Sequence, residues 1–329
     1  MFWGFGMTWL FALLGFVGFS AHASPLLQPQ PLSDEAYGEA YTAVAALEDG
    51  SFVLLQLMFS NAGFGSRKAA CRALWVPPGK AGINASARFD SSEWAYEADS
   101  DTLKAGTCHL GSSGDGLQFR ASTPELTVEL NIQAKARSVK PPGHRVEHKQ
   151  SFYQAELMVP YARTTATVTT ADTTLNTKGA VHMDHSRSNV LMPNAAACWL
   201  RFRGFFGAKP MLIQVRVPPN GGVPDAWSWP LNEPAPSPIA GEQVQLGTDE
   251  AGRPTITISG SEGLTLGTTA QLYRYRPAES YGALGKLASP WIGDPTTTTY
   301  RAKATSESGS AVTGILEVLE VDDPGCVTQ

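Results

Sequence analysis

The stretch 126–134 limits most sharply what this chain can fold into. In it Leu126, Val128, Leu130, Ile132 and Ala134 alternate with Thr127, Glu129, Asn131 and Gln133. A strict period of 2 marks a strand with one buried and one wet face. The same style recurs on either side. Residues 40–47 and 52–59 flank Glu48-Asp49-Gly50, where Asp-Gly supplies the positive φ that a hairpin turn needs. Further strand runs lie at 68–76, 83–89, 94–98, 107–110, 117–121 and 152–169, with a turn at 111–116 and a basic, Pro-containing loop at 137–149. The second half continues with 196–205, 211–217, 255–259, 271–276, 298–304 and 312–321, and a long loop follows Trp227-Ser228-Trp229-Pro230. A helix-period stretch of any length is missing, so the chain is expected to be all-β and built of antiparallel meanders. Two successive meanders can each close into a barrel and so remove their exposed edges; a jelly roll or a pair of sandwiches satisfies the same pattern.

The N-terminus is a continuous apolar run ending in Ala21-His22-Ala23, which reads as a signal peptide cut after Ala23. The first Lys or Arg is Arg67, so an uncleaved anchor fits the same run. Export would leave a Pro-rich leader (24–32) and a mature chain long enough for two domains, set at 24–189 and 190–329. A net charge of −5 with no basic cluster argues against nucleic acid or an anionic membrane surface as partner. Cys71, Cys108, Cys198 and Cys326 are far apart with no CxxC, so a structural zinc site is not expected and an exported chain can pair them. Barrel closure sets first and last strands side by side, which puts Cys198 beside Cys326 and leaves Cys71 with Cys108. Asn84-Ala85-Ser86 is a sequon, a glycosylation acceptor in a eukaryotic host.

Polar chemistry concentrates in 179–189, where two of the six histidines flank an aspartate. In a strand, His182 and Asp184 share one face while Met183 and His185 take the other. A carboxylate beside an imidazole serves as general acid or base if burial lifts its pKa toward neutrality; the bland alternative is a hydrogen-bonded pair joining two segments. His182-Met183-Asp184-His185 also matches the tail of a metallo-hydrolase pattern, but Ala180 replaces the leading His and the two histidines diverge, so no metal is expected. The Gly-x-Ser-x-Gly elbow and Gly-rich phosphate loops are absent, and no cofactor is expected. Glu317 shares a face with Ile315, Leu319 and Val321, which makes it either a catalytic acid or the partner of an arginine such as Arg274 or Arg276. Trp227 with Trp229, and Tyr273 with Tyr275, are spaced to share faces and could enclose a flat apolar ligand or simply fill a core.

Four stretches together resemble the superfamily of carotenoid 1,2-hydratases, AttH proteins, Svf-type survival factors and fungal lipocalin-like Diels-Alderases: Gln56-Leu-Met-Phe59-Ser-Asn61-Ala-Gly63, Val159-Pro-Tyr-Ala-Arg163, residues 179–185, and Gly314-Ile-Leu-Glu317. The resemblance implies two consecutive lipocalin-like β-barrels, a ligand cavity at or near their junction, a hydrophobic small molecule as partner, and no cofactor. In the hydratase branch the aspartate of a Tyr-x-Asp-His-Asn motif protonates a polyene; Asp184 and His185 match it, with His182 in place of the Tyr and Ser186 in place of the Asn. The Diels-Alderase branch encloses a linear polyene, and the survival-factor branch handles lipids. Asp184, His182 and Glu317 are therefore the expected catalytic residues, with His185, Asn61, Trp227, Trp229, Tyr273 and Tyr275 as substrate contacts. The two readings are an enzyme acting on a polyene and a secreted carrier of a lipid.

Overall fold

The computed structural model describes residues 25–61, 66–207, 209–219, 221–260, 263–276 and 295–321. The expected signal peptide and Cys326 lie outside the described residues, within which no helix is long and apolar enough to cross a membrane. The fold is all-β. A first sheet contains β1 (Gly38–Leu47), β2 (Phe52–Ser60), β3 (Lys68–Val76), β4 (Ile83–Phe89), β5 (Trp94–Glu97), β6 (Thr102–Ala105), β7 (Cys108–Ser113), β8 (Gly116–Ser122), β9 (Thr127–Ile132), β10 (Arg145–His148), β11 (Ser151–Thr169) and β12 (Thr174–Ser188). A helical turn, α1 (Met192–Ala195), leads to a second sheet. Its strands are β13 (Cys198–Gly207), β14 (Met211–Val217), β15 (Asp225–Pro230), β16 (Ser237–Ile239), β17 (Val244–Thr248), β18 (Pro254–Ile258), β19 (Leu264–Tyr275), β20 (Thr296–Ser306) and β21 (Ala311–Glu320).

Both sheets are antiparallel meanders whose first and last strands pair, β1 with β12 and β13 with β21, so each is a nearly closed barrel opening only between two mid-chain strands. Gly50 turns the first hairpin at φ 84°, as its Asp-Gly sequence demands. Inward side chains such as Tyr41, Leu55, Phe119, Leu130 and Met183 fill the first barrel, and Leu200, Phe202, Val215 and Leu316 fill the second. Each such side chain contributes about 1.5–3 kcal/mol by leaving water. A Cys71–Cys108 disulfide joins β3 to β7, on opposite sides of the first barrel's opening.

The strands that pattern reading missed are short or polar. β10 lies inside the basic stretch read as a loop, and β16 inside the Pro-rich loop; β6 and β17 span four or five residues, too few to show a period. Residues 111–113, read as turn, extend β7. The burial of β1 locates the junction of the two barrels. From Tyr41 to Leu47 this strand is buried on both faces, because its outer face lies against the second barrel. There Val44, Ala46, Phe52, Leu54, Leu74, Val76 and Ala180 pack on Phe205 and Ile315.

Candidate active site

Beside that apolar seam runs a polar one. Strand register aligns Asp184, Thr42, Gln56 and Arg72 across the outer face of the first barrel. Opposite, it aligns Trp227, Gln214, Arg201, Glu317 and Thr299 on the second. Alternation explains the facing set: the even residues of β13 fill its barrel, so Trp199, Arg201, Arg203 and Phe205 point at the first barrel. Arg203 Nη2 donates to Asp184 Oδ2 at 3.2 Å, while its Nη1 lies 3.7 Å from Glu317 Oε2. Arg201 Nη1 donates to Glu317 Oε1 at 3.4 Å, and Arg201 Nη2 to the Tyr153 hydroxyl at 2.7 Å. His182 Nε2 lies 3.4 Å from Asp184 Oδ2, and its Nδ1 is 3.3 Å from the Pro160 carbonyl. That carbonyl sits in an irregular part of β11, where two register shifts between Leu157 and Ala162 accommodate a proline that cannot donate to the ladder.

Burial pushes the Asp184 carboxyl up, but the His182 hydrogen bond and the Arg203 charge outweigh it and hold the group well below the usual carboxylate range. Burial pushes His182 down, and Arg203 adds to this against the pull of Asp184. The resting pair is thus carboxylate and neutral imidazole. The neutral ring has one N–H for two acceptors; placed on Nε2 it serves Asp184 and leaves Nδ1 beside the Pro160 carbonyl without a hydrogen bond. This corrects the expectation that burial would raise Asp184 toward neutrality: the hydrogen bond with His182 on the same strand and the Arg203 guanidinium from the second barrel together reverse the sign. Burial opposes the charge on Arg201, yet Tyr153, Glu317 and Asp184 keep it firmly cationic. Burial also raises the Tyr153 hydroxyl.

The cluster forms one end of a narrow crevice between the barrels, open at its mouth, with a cavity volume of about 30 Å³. Leu157, Leu212, Trp199 and Trp227 supply apolar wall; Tyr153, His182, Asp184, Arg201 and Arg203 supply polar groups. Of the residues expected at a site, His182, Asp184 and Trp227 line this crevice. Glu317 lies just behind, and its partners are Arg201 and Arg203, not Arg274 or Arg276. Trp229 packs beside Trp227, with its indole N–H donating to the Glu233 carbonyl at 3.0 Å.

The other expected contacts lie elsewhere. Tyr273 and Tyr275 hold Arg72, whose guanidinium is 4.0 Å from the Tyr275 ring centre and 5.8 Å from that of Tyr273. Arg72 Nε donates to Asn84, the sequon asparagine, at 2.7 Å. His185 points to the opposite side of β12, where it stacks on Tyr41 at 4.3 Å and meets buried Glu39 at 2.8 Å. Glu39 also accepts from the Tyr37 hydroxyl and the Gln30 backbone, tying the leader to the barrel's end. Asn61 donates to the carbonyls of Leu32 and Asp34 and accepts from the Arg67 backbone, so it anchors loops and does not reach the crevice. Sequence reasoning missed Arg201, Arg203 and Tyr153. The signal was present, since Arg201-Phe202-Arg203 sets two charges on one face of an otherwise apolar strand, the same argument that singled out Glu317.

No family model and no curated protein matches the chain. Solved structures do. An AttH-type protein from Nitrosomonas europaea superposes with a TM-score of 0.63 at 12% identity, covering 87% of this chain and 92% of that one. Kievitone hydratase from Nectria haematococca gives 0.57 at 11% identity over 91% and 93%, and CghA with Sch210972 gives 0.56 at 11% over 90% and 93%. Likeness at this identity is likeness of fold. The chain shares the two-barrel, lipocalin-like architecture of these proteins, which include the AttH kind that the sequence motifs resemble.

Proposed function

We propose that this protein is an exported, cofactor-free enzyme that binds a hydrophobic polyene, of terpenoid or polyketide type, along the open crevice between its barrels and promotes its cyclisation or hydration. The observation that carries the reading is the junction of an apolar wall (Leu157, Leu212, Trp227) with a desolvated cluster of Asp184, His182, Arg203, Arg201 and Tyr153. Apolar walls hold and orient a flexible chain, and fixed charges in a water-poor site act strongly on charge that develops as bonds rearrange. Among the two reaction types, the ionised Asp184 favours cyclisation. A carboxylate already deprotonated orients His182 and Arg203 and accepts hydrogen bonds, whereas hydration needs a donor to protonate the polyene. The Cys71–Cys108 disulfide supports an oxidising compartment. That the structural neighbours include a hydratase adds weight to an enzyme.

A carrier is the second reading, favoured by one fact: both carboxylates are already paired with arginines, Asp184 with Arg203 across the junction and Glu317 with Arg201 within the second barrel, as in a purely structural latch. One experiment separates the two. The purified protein is extracted with organic solvent, the extract is identified by mass spectrometry, and the recovered polyene, or failing that a panel of carotenoids, lipids and polyketide polyenes, is returned to the protein while its absorbance is followed. Loss of conjugation faster than in protein-free buffer supports the enzyme. Binding without chemical change supports the carrier, and no binding to any member removes both.

A further inference from the structure

Two polar atoms in the crevice are not accounted for by its own hydrogen bonds. Trp227 Nε1 and Arg203 Nη1 are buried N–H donors with no hydrogen-bond partner among the described residues. Their residues are 4% and 3% exposed, and both line the crevice. A buried donor left unpaired costs about 1–3 kcal/mol, and native proteins hold few of them. The contrast with Trp229 is informative. Two residues along the same strand face, its indole N–H is satisfied by the Glu233 carbonyl, so the fold does cap an indole on this face. Arg203 is likewise half satisfied: Nη2 bonds Asp184, while Nη1 has only the charge of Glu317 at 3.7 Å, beyond hydrogen-bond reach. Two other unpartnered atoms, Tyr41 Oη and Trp75 Nε1, belong to the packed interior of the first barrel and do not line the crevice.

The charge balance narrows what these donors can take. Asp184 and Glu317 offset Arg201 and Arg203, and His182 is neutral. An anionic ligand would face Asp184 and find both lining guanidiniums already engaged by Asp184 and Glu317; a cation would face those two guanidiniums. A pure hydrocarbon would leave both donors dry. An uncharged acceptor fits, and a carbonyl oxygen has two lone pairs for two donors. Building on the ligand-binding reading above, we infer that the crevice takes an apolar molecule bearing a neutral carbonyl group, whose oxygen accepts from Trp227 Nε1 and Arg203 Nη1.

Matched probes with one polyene body test this: all-trans-retinal (neutral carbonyl), retinoic acid (carboxylate) and anhydroretinol (hydrocarbon), each titrated against the tryptophan fluorescence of the full chain and of Trp227→Phe. Retinal should bind about tenfold tighter than either other probe, the effect of one to two hydrogen bonds made in a dry site. Trp227→Phe keeps an aromatic ring and loses the N–H, so it should weaken retinal about fivefold and leave anhydroretinol within about twofold. The hydrocarbon measurement also shows that the variant is folded. Equal affinity for retinal and anhydroretinol overturns the carbonyl while leaving apolar binding intact. Tightest binding of retinoic acid overturns its neutrality. A uniform loss across all probes in Trp227→Phe makes that ring packing only and overturns its role as donor. Failure of all three to bind removes the ligand-binding reading itself, and this inference with it.

Discussion

Replacing Asp184 by Asn tests the electrostatic core of the junction. The amide keeps the shape of the side chain and can still accept from Arg203, but it removes the charge that faces a guanidinium only 3% exposed. Removing one partner of a buried pair costs about 3–5 kcal/mol. Glu317 at 3.7 Å still offsets Arg203 in part, which puts the expected loss at the lower end, about 3 kcal/mol. The pH dependence supplies an independent check. The folded pKa of Asp184 is depressed below its unfolded value of about 3.9, so its stabilisation is fully present above about pH 4 and disappears as pH falls toward the folded pKa. The assay is urea unfolding followed by tryptophan fluorescence, at pH 7 and at steps below pH 4. The gap between wild type and Asp184→Asn should be about 3 kcal/mol at neutral pH and should narrow steadily in acid. In Asp184→Leu/Arg203→Met, where both charges are gone and the space stays filled, most of the loss should return. A single variant within about 0.5 kcal/mol of wild type, or a gap that persists unchanged in acid, would refute the account of this pair.

Three further perturbations probe the surroundings. Cys71→Ala/Cys108→Ala frees a loop of 37 residues and should cost about 4 kcal/mol in the chain-entropy view, read as a lowered urea midpoint under non-reducing conditions. Arg72→Met removes the guanidinium held by Tyr275 and Asn84 and should cost about 1–2 kcal/mol in the same assay, with Arg72→Lys recovering little because an ammonium lacks the planar stacking face and the Nε donor. Asn61→Ala breaks three hydrogen bonds to loop backbone and should destabilise by about 2–3 kcal/mol while leaving retinal affinity within about twofold; a selective loss of affinity would return Asn61 to the binding site.

The fold was legible because alternation is a local property. Leu126 to Ile132 announces an inward face whatever lies beyond it, and Asp49-Gly50 specifies its own turn. The split of His182 and Asp184 from Met183 and His185 came from the same period, and the structure keeps it, with Met183 in the first barrel's core and Asp184 at the junction. What alternation cannot carry is which outward face is covered by the other barrel. Asp184 and Arg203 are 19 residues apart in sequence and become partners only when the two sheets pack, so the Arg203 share of the shift on Asp184 was out of reach, whereas the His182 share lies within one strand face. His185 and Asn61 show the converse: polar residues within suggestive motifs turn out to satisfy Glu39 and loop carbonyls. Tyr273 and Tyr275 share a role against Arg72 that no spacing within their own strand reveals.

A crystal structure of the full chain with all-trans-retinal bound tests the central claim most directly. The polyene should lie between Leu157, Leu212 and Trp227, with its carbonyl oxygen within hydrogen-bond distance of Trp227 Nε1 and Arg203 Nη1. A polyene lodged inside either barrel, or against His185 and Arg187 at the end of the first, would contradict it.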